Sequence, residues 1–257
     1  MNVSRRGIAG SIQVVIASLM IIIAAAPAFS SEMVTIKGAR QNTLIARLTK
    51  PDGKGPFPAI ILLHGSIGSD KHYDDWAERL ASWGYVALLL DSFGPRSQSS
   101  FSDPPSARAQ DICYARFYLN QLPLVDRKRI GIIGWSQRGS SALATLCTRF
   151  SSYQKKYPLR AVVTFYPYCF RTLAHLDFPL LILTGELDDT CPPALCMERI
   201  PGKRPNEVIL KVYPHAYHGF DVEGIDTSYM DHRFLYDPTA AADSIIRVKT
   251  FFAEHFK

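Results

Sequence analysis

The stretch RIGIIGWSQRGSSAL, residues 129–143, decides the fold. An apolar run leads into Gly134 and Trp135, Ser136 follows, and apolar residues then recur at helical spacing. This pattern is typical of a strand that turns sharply into a helix and projects its serine above the end of a sheet. Ser136 is therefore a candidate nucleophile. The alternative is a purely structural role, in which Ser136 only caps the helix.

Short apolar runs alternate with helical runs along the rest of the chain, which predicts an α/β fold with a mostly parallel central sheet and helices on both faces. The predicted strands cover residues 43–50, 59–64, 85–90, 129–134, 160–166, 179–185 and 207–213. Open α/β sheets bind ligands at the carboxyl ends of their strands. We therefore expect the chemistry at that edge.

An aspartate and a histidine follow two of these strands. Asp188 lies in LILTGELDD and His218 in VYPHAYHGF, so the candidates occur in the order Ser, Asp, His. A nucleophilic serine needs a base to take its proton and an acid to orient that base. We favour Asp188 over Asp189 and His218 over His215. Alone, either aspartate could cap the helix predicted at PPALCMER, and a lone loop histidine usually has a structural role.

The 257 residues have ordinary globular composition, and a net charge of +6 is too mild and too scattered to indicate a nucleic-acid partner. Residues 1–30 combine Arg5 and Arg6, an apolar stretch and small residues at cleavage-like spacing, which predicts an export signal. We expect a periplasmic or secreted protein with one domain over 31–257 and no membrane contact beyond that signal. An uncleaved anchor over residues 8–28 is the alternative.

Five cysteines become informative if the protein is exported, because an oxidising compartment permits disulfides. Cys113 and Cys147 lie on apolar faces of predicted helices and are expected in the core. Cys169, Cys191 and Cys196 lie in loops or at the ends of elements, and we expect one pair among them. The sequence does not choose the pair.

The chain resembles the dienelactone hydrolase family of α/β-hydrolases over nearly all of residues 32–257. The resemblance lies in ILLHGSIG, WGYVALLLDSFGPRS, IGIIGWSQRG, FYPYC, LILTGELDDTCPP, YPHAYHGFD and YDPTAAADSIIRVKTFF. It implies an α/β-hydrolase fold with Ser136 as nucleophile, Asp188 as acid and His218 as base. The enzymes that named the family carry Cys as nucleophile, so this chain is more similar to the esterase-like members.

Further site residues follow from the motifs and the resemblance. The oxyanion hole is expected from the backbone N–H groups of Gln137 and Ser66, although HGSIG could be only a flexible turn. By the resemblance, Arg96 would contact a carboxylate on the substrate, and a surface salt bridge is the alternative. His64 is expected to hold its loop by hydrogen bonds. No cofactor and no metal is expected, because the glycine pattern of a dinucleotide site and a second zinc ligand pair are absent from the sequence.

Arg138 departs from the pattern Gly-x-Ser-x-Gly, which places a small residue two positions after the nucleophile. Either its side chain reaches solvent and catalysis persists, which we favour, or it crowds the turn and impairs the enzyme. The sequence thus predicts an exported serine hydrolase that cleaves a small carboxylic ester or lactone through an acyl-enzyme. The alternatives are a non-catalytic binding protein and, less favoured, a prolyl-oligopeptidase-like peptidase. The substrate and the oligomeric state are left open.

Overall fold

The structure is a computed structural model, which describes residues 29–38, 43–65, 70–91, 105–144, 159–170, 173, 176, 178–200 and 208–257. The strands are β1 Phe29–Lys37, β2 Thr43–Pro51, β3 Phe57–Leu63, β4 Val86–Asp91, β5 Val125–Trp135, β6 Ala161–Phe165, β7 Leu180–Gly185, β8 Val208–Tyr213, β9 Asp226–Tyr229 and β10 His232–Leu235. The helices are α1 Asp70–Ser82, α2 Pro105–Leu119, α3 Ser136–Ala144, α4 Pro193–Arg199 and α5 Pro238–His255.

Strands β1 to β8 form one sheet in the order β1-β2-β4-β3-β5-β6-β7-β8. β1 and β2 pair antiparallel, β2 pairs antiparallel with β4, and the remaining pairs are parallel. The predicted mostly parallel α/β sheet is therefore confirmed. β5 lies between β3 and β6, so the strand that leads into Ser136 is hydrogen-bonded on both sides.

Helices cover both faces of the sheet, as predicted. Side chains that alternate along the central strands separate into two cores, because successive residues of a strand point to opposite faces. Ile61 and Ile132 pack with residues of α2 and α3 on one face. Ile60 and Ile133 pack with α1 and α5 on the other. The structure thus has two layers of helices around a buried sheet.

Two parts of the fold were missed by the sequence patterns. β1 is mostly exposed and lacks a run of alternating apolar residues, so its pairing with β2 holds it at the edge. It begins at Phe29, so the predicted domain start at residue 31 falls inside a strand. The β9–β10 hairpin is also polar and short.

Several predicted features lie outside the described residues, namely Ser66, Arg96, Cys147 and all but the last two residues of the export signal predicted over residues 1–30. Within the described ranges, no helix has both the length and the apolar character needed to cross a membrane.

Candidate active site

The turn from β5 into α3 holds Ser136 in an unusual backbone conformation. Its φ of 52° lies in the left-handed region, which non-glycine residues rarely adopt. The turn is tight because strand and helix approach at two glycines. A Cβ added to Gly134 would lie 3.0 Å from the backbone N and Cα of Gly139. Glycine is therefore required on the strand side, and Gly139 supplies the small residue on the helix side.

Arg138 does not reach solvent, so the favoured prediction for its side chain is wrong. The residue is only 2% exposed and ranks among the largest fully buried side chains. The close contact at the turn involves the backbone of residues 138 and 139. Gly139 supplies the small residue that this contact requires, and the atoms in the contact are backbone atoms. Whether the buried Arg138 side chain impairs the reaction stays a prediction.

The three predicted side chains meet in one chain of hydrogen bonds. The Ser136 Oγ lies 2.9 Å from His218 Nε2, and His218 Nδ1 lies 2.8 Å from Asp188 Oδ2. A carboxylate can only accept, so Nδ1 carries the imidazole proton and Nε2 can accept the proton of the serine hydroxyl. Asp188 and His218 are buried, whereas Ser136 is partly exposed. The arrangement therefore places a hydrogen-bonded base behind a serine hydroxyl on a partly exposed residue.

The aspartate loop is shaped by its own backbone contacts. Asp188 Oδ1 accepts from the N–H of Cys191 at 2.7 Å, which leaves Oδ2 for the histidine. A Cβ on Gly185 would lie 2.2 Å from the carbonyl oxygen of Ala216, so this loop and the His218 loop are in direct contact. Asp189 instead pairs with His232 at 3.2 Å. Asp188, and not its neighbour, therefore contacts His218.

Aromatic rings enclose the His218 imidazole. The Tyr166 ring centroid lies 4.3 Å from that of His218, and Phe234 makes an edge contact at 5.3 Å. Phe234 belongs to β10, and a β-bridge joins it to His218. The hairpin that the sequence patterns missed therefore forms one wall of the histidine pocket.

A second buried carboxylate, Asp221, lies behind the site and was not predicted. Its oxygens accept from Trp135 Nε1 at 2.8 Å and from the Tyr166 hydroxyl at 2.7 Å, and His72 Nε2 lies 3.3 Å away. Burial opposes ionisation of this group. The charge interaction with His72 and the hydrogen bonds from His72, Tyr166 and Trp135 outweigh burial and hold the pKa of Asp221 below its usual value. The only sequence signal was an aspartate three residues after His218.

One disulfide joins a loop and a helix that follow two strands of the sheet. Cys169 and Cys196 are bonded, which selects one of the pairs that the sequence left open. The bond connects the segment after β6 to helix α4, which follows the Asp188 loop. Cys191 is a buried free thiol, and burial raises its pKa, which disfavours the reactive thiolate. Burial likewise raises the pKa of Cys113 to about 11, in keeping with its predicted place in the core.

Of the two predicted oxyanion donors, the structure describes Gln137 but not Ser66. Gln137 is the second residue of α3, so its N–H is one of the first four in the helix, which have no acceptor within it. The helix dipole also favours negative charge at this end. On the other side, His64 Nδ1 contacts the Gly65 carbonyl, and Tyr73 accepts from the Gly65 N–H at 2.9 Å. Ser66 and Arg96 lie outside the described residues.

Across the described ranges, no group of three or more His, Cys, Asp or Glu side chains is arranged to hold a metal ion.

The chain matches one family model and is similar to individual known proteins. The family model described as the Dienelactone hydrolase family matches residues 44–256. The chain is 28% identical over 247 residues to the "Putative carboxymethylenebutenolidase" of Synechocystis sp., covering 84% of this chain and 94% of that protein. It is 30% identical over 145 residues to Lipase 1 of Moraxella sp., covering 54% of this chain but only 41% of the lipase.

Among solved structures, a dienelactone hydrolase from Anabaena variabilis matches with a TM-score of 0.66 at 19% identity, covering 89% of this chain and 99% of that one. At this identity the likeness shows the shared fold.

Proposed function

Because the chain belongs to the dienelactone hydrolase family, we propose that it hydrolyses a small carboxylic ester or lactone through an acyl-enzyme on Ser136. The observation that carries the proposal is the continuous hydrogen-bond chain from the Ser136 hydroxyl through His218 to Asp188. A serine that only capped a helix would have no need of a buried imidazole and carboxylate behind it.

The first half of the reaction forms the acyl-enzyme. The Ser136 oxygen attacks the ester carbonyl while its proton passes to His218 Nε2, and the imidazolium that forms is stabilised by Asp188. The negative charge that develops on the carbonyl oxygen is stabilised by the Gln137 N–H and, in our proposal, by the N–H of Ser66. The tetrahedral intermediate then collapses, and His218 returns the proton to the departing alkoxide.

The second half releases the acid. A water molecule takes the position of the alcohol, gives a proton to His218 and attacks the acyl carbonyl. Collapse of the second tetrahedral intermediate breaks the bond to the Ser136 oxygen, which recovers its proton from His218. A lactone opens in the first half, so its leaving hydroxyl stays attached to the acyl group.

The substrate class is proposed from the family and from one side chain. The name of the Synechocystis relative describes a lactone-opening enzyme. We propose Arg96 as the contact for a carboxylate on the substrate, since a guanidinium binds a carboxylate through two parallel hydrogen bonds.

The location of the protein is part of the proposal. We propose that residues 1–30 direct export and that the enzyme works in the periplasm or outside the cell. The Cys169–Cys196 disulfide supports this location, because disulfides persist in oxidising compartments and are rare in the cytosol.

The proposal is tested by treating the mature protein with a fluorophosphonate probe and mapping the modified peptide by mass spectrometry. We expect labelling at Ser136 that is lost in Ser136→Ala and in His218→Ala, with turnover of short p-nitrophenyl esters falling by roughly 10³-fold or more in both variants. A thermal unfolding curve controls for folding.

A folded parent protein that neither reacts with the probe nor hydrolyses any ester would instead favour a binding protein. Hydrolysis of an X-Pro anilide in preference to esters would favour a peptidase.

A further inference from the structure

Asp221 is a buried carboxylate to which the mechanism above assigns no role. It lies three residues after His218, and its side chain is only 2% exposed. We propose that Asp221 is a positioning residue for the reaction at Ser136, acting through Trp135 on the nucleophile and through Tyr166 on the base. The inference rests on the proposed function, since it concerns the same reaction.

The first connection runs to the nucleophile. Asp221 Oδ2 accepts from Trp135 Nε1 at 2.8 Å, and Trp135 is the residue immediately before Ser136. The indole is also stacked on Phe165 at a centroid distance of 5.2 Å, so its orientation is fixed from two sides. A residue with positive φ, such as Ser136, keeps that conformation only when its surroundings impose it. The bond from Asp221 is one of these constraints.

The second connection runs to the base. The Tyr166 hydroxyl donates to Asp221 Oδ1 at 2.7 Å, and the Tyr166 ring lies 4.3 Å from the His218 imidazole. Tyr166 itself has a φ of 38°, so this residue also holds a backbone conformation that its surroundings impose. The hydrogen bond fixes the position of the Tyr166 ring against the His218 imidazole. It therefore limits the directions in which His218 can tilt away from Ser136.

The carboxylate suits this role because each of its oxygens accepts. Trp135 Nε1 can only donate, whereas the Tyr166 hydroxyl can donate or accept. An asparagine at position 221 could turn its oxygen to Trp135 and its NH₂ group to Tyr166, and so preserve both bonds without a charge. An alanine preserves neither. The pair Asp221→Asn and Asp221→Ala therefore separates loss of the charge from loss of the side chain with its hydrogen bonds.

The experiment measures kcat and KM for a short p-nitrophenyl ester, with kcat divided by the number of sites that react with the fluorophosphonate probe. Division by titrated sites removes any loss of folded protein, which is the only effect that a merely structural residue would have. We expect Asp221→Ala to lower kcat per site by about 10- to 100-fold with KM changed less than about 3-fold, because small misplacements of reacting groups have effects of this size. We expect Asp221→Asn to restore kcat per site to within about 5-fold of the parent.

Asp126→Ala is the matched control. Asp126 forms an ion pair with Arg129 at the opposite end of β5 from Ser136, so its loss removes a carboxylate and its contacts without touching the site. We expect kcat per titrated site to equal that of the parent. Tyr166→Phe is the second variant and keeps the ring against His218 while removing the bond to Asp221. We expect it to lower kcat per site about 3- to 10-fold.

The outcomes are distinguishable. A parent that neither reacts with the probe nor turns over ester overturns the proposed function and this inference with it. A parent that is active, with Asp221→Ala within about twofold of it per titrated site, overturns the positioning role alone. If Asp221→Ala does not fold, Tyr166→Phe decides by the same criterion.

Discussion

Replacing Arg138 by glycine restores the family pattern at the turn and tests how the structure accommodates the arginine. If the side chain crowded Ser136, Arg138→Gly would raise the rate. The structure places the close contact between the backbones of Gly134 and Gly139, and it buries the Arg138 side chain. We therefore expect kcat per titrated site to stay within about twofold of the parent and the protein to lose stability.

The size of the loss follows from what is removed. The arginine stem has three methylene groups, all in a side chain that is 2% exposed in total. At about 0.8 kcal/mol for each buried methylene they contribute about 2.4 kcal/mol. Glycine in a helix adds up to about 1 kcal/mol. The sum of about 3 kcal/mol corresponds to a fall in Tm of roughly 6 to 12 °C in a domain of this size.

The assay pairs thermal unfolding with ester turnover per titrated site, and Arg138→Met serves as the comparison. Methionine keeps an unbranched apolar stem, so it should recover most of the stability that glycine loses. A rise in kcat per site of more than about threefold in Arg138→Gly, with an unchanged Tm, would refute the reasoning and show that Arg138 does crowd the turn.

Three further predictions concern the same region. Gly134→Ala should lower kcat per titrated site by about 10-fold or more and destabilise by about 1–3 kcal/mol, because its Cβ would lie 3.0 Å from backbone atoms that cannot rotate away; unchanged kinetics and Tm would contradict this. Reduction of Cys169–Cys196 should lower the free energy of unfolding by about 3–4 kcal/mol, which is measured as a fall in Tm on adding reductant. A variant in which both cysteines are replaced by serine should show no change in Tm when reductant is added. Asp221 should contribute to the free energy of unfolding above its unfolded pKa of about 3.9, and this contribution is lost as the pH falls through its lowered folded pKa. Denaturant titrations between about pH 5 and 2 should therefore show a smaller decrease in the free energy of unfolding for Asp221→Asn than for the parent.

The sequence predicted those parts of the site that follow from local pattern. Each apolar strand ended near its predicted residue, and parallel strands bring their carboxyl ends to one edge, so the order of Ser136, Asp188 and His218 along the chain was enough to expect them close together. The preference for Asp188 over Asp189 matches the geometry, since only Asp188 contacts the histidine. Prediction from local patterns succeeds here because each of the three residues follows its own strand of the sheet.

The Asp221 cluster could not be predicted in this way. Its members come from α1, the end of β5, the start of the loop after β6 and the loop after His218, so their meeting depends on how four segments pack. None of them carries a pattern of its own. The disulfide has the same origin, because three candidate cysteines stood at ends of elements and only the packing of α4 against the loop after β6 selects Cys169 and Cys196.

Arg138 was misjudged because the motif was applied to a residue position rather than to the contact that the motif protects. A charged residue early in a helix is usually exposed, and the small residue of the motif is needed where the helix backbone passes the strand. In this chain that point is Gly139, whose own added Cβ would lie 3.0 Å from the Gly134 carbonyl oxygen. Gly139 therefore meets the requirement, and position 138 accepts a large buried side chain. A sequence that kept glycine at 138 but lost it at 139 should, by this argument, be the more impaired of the two.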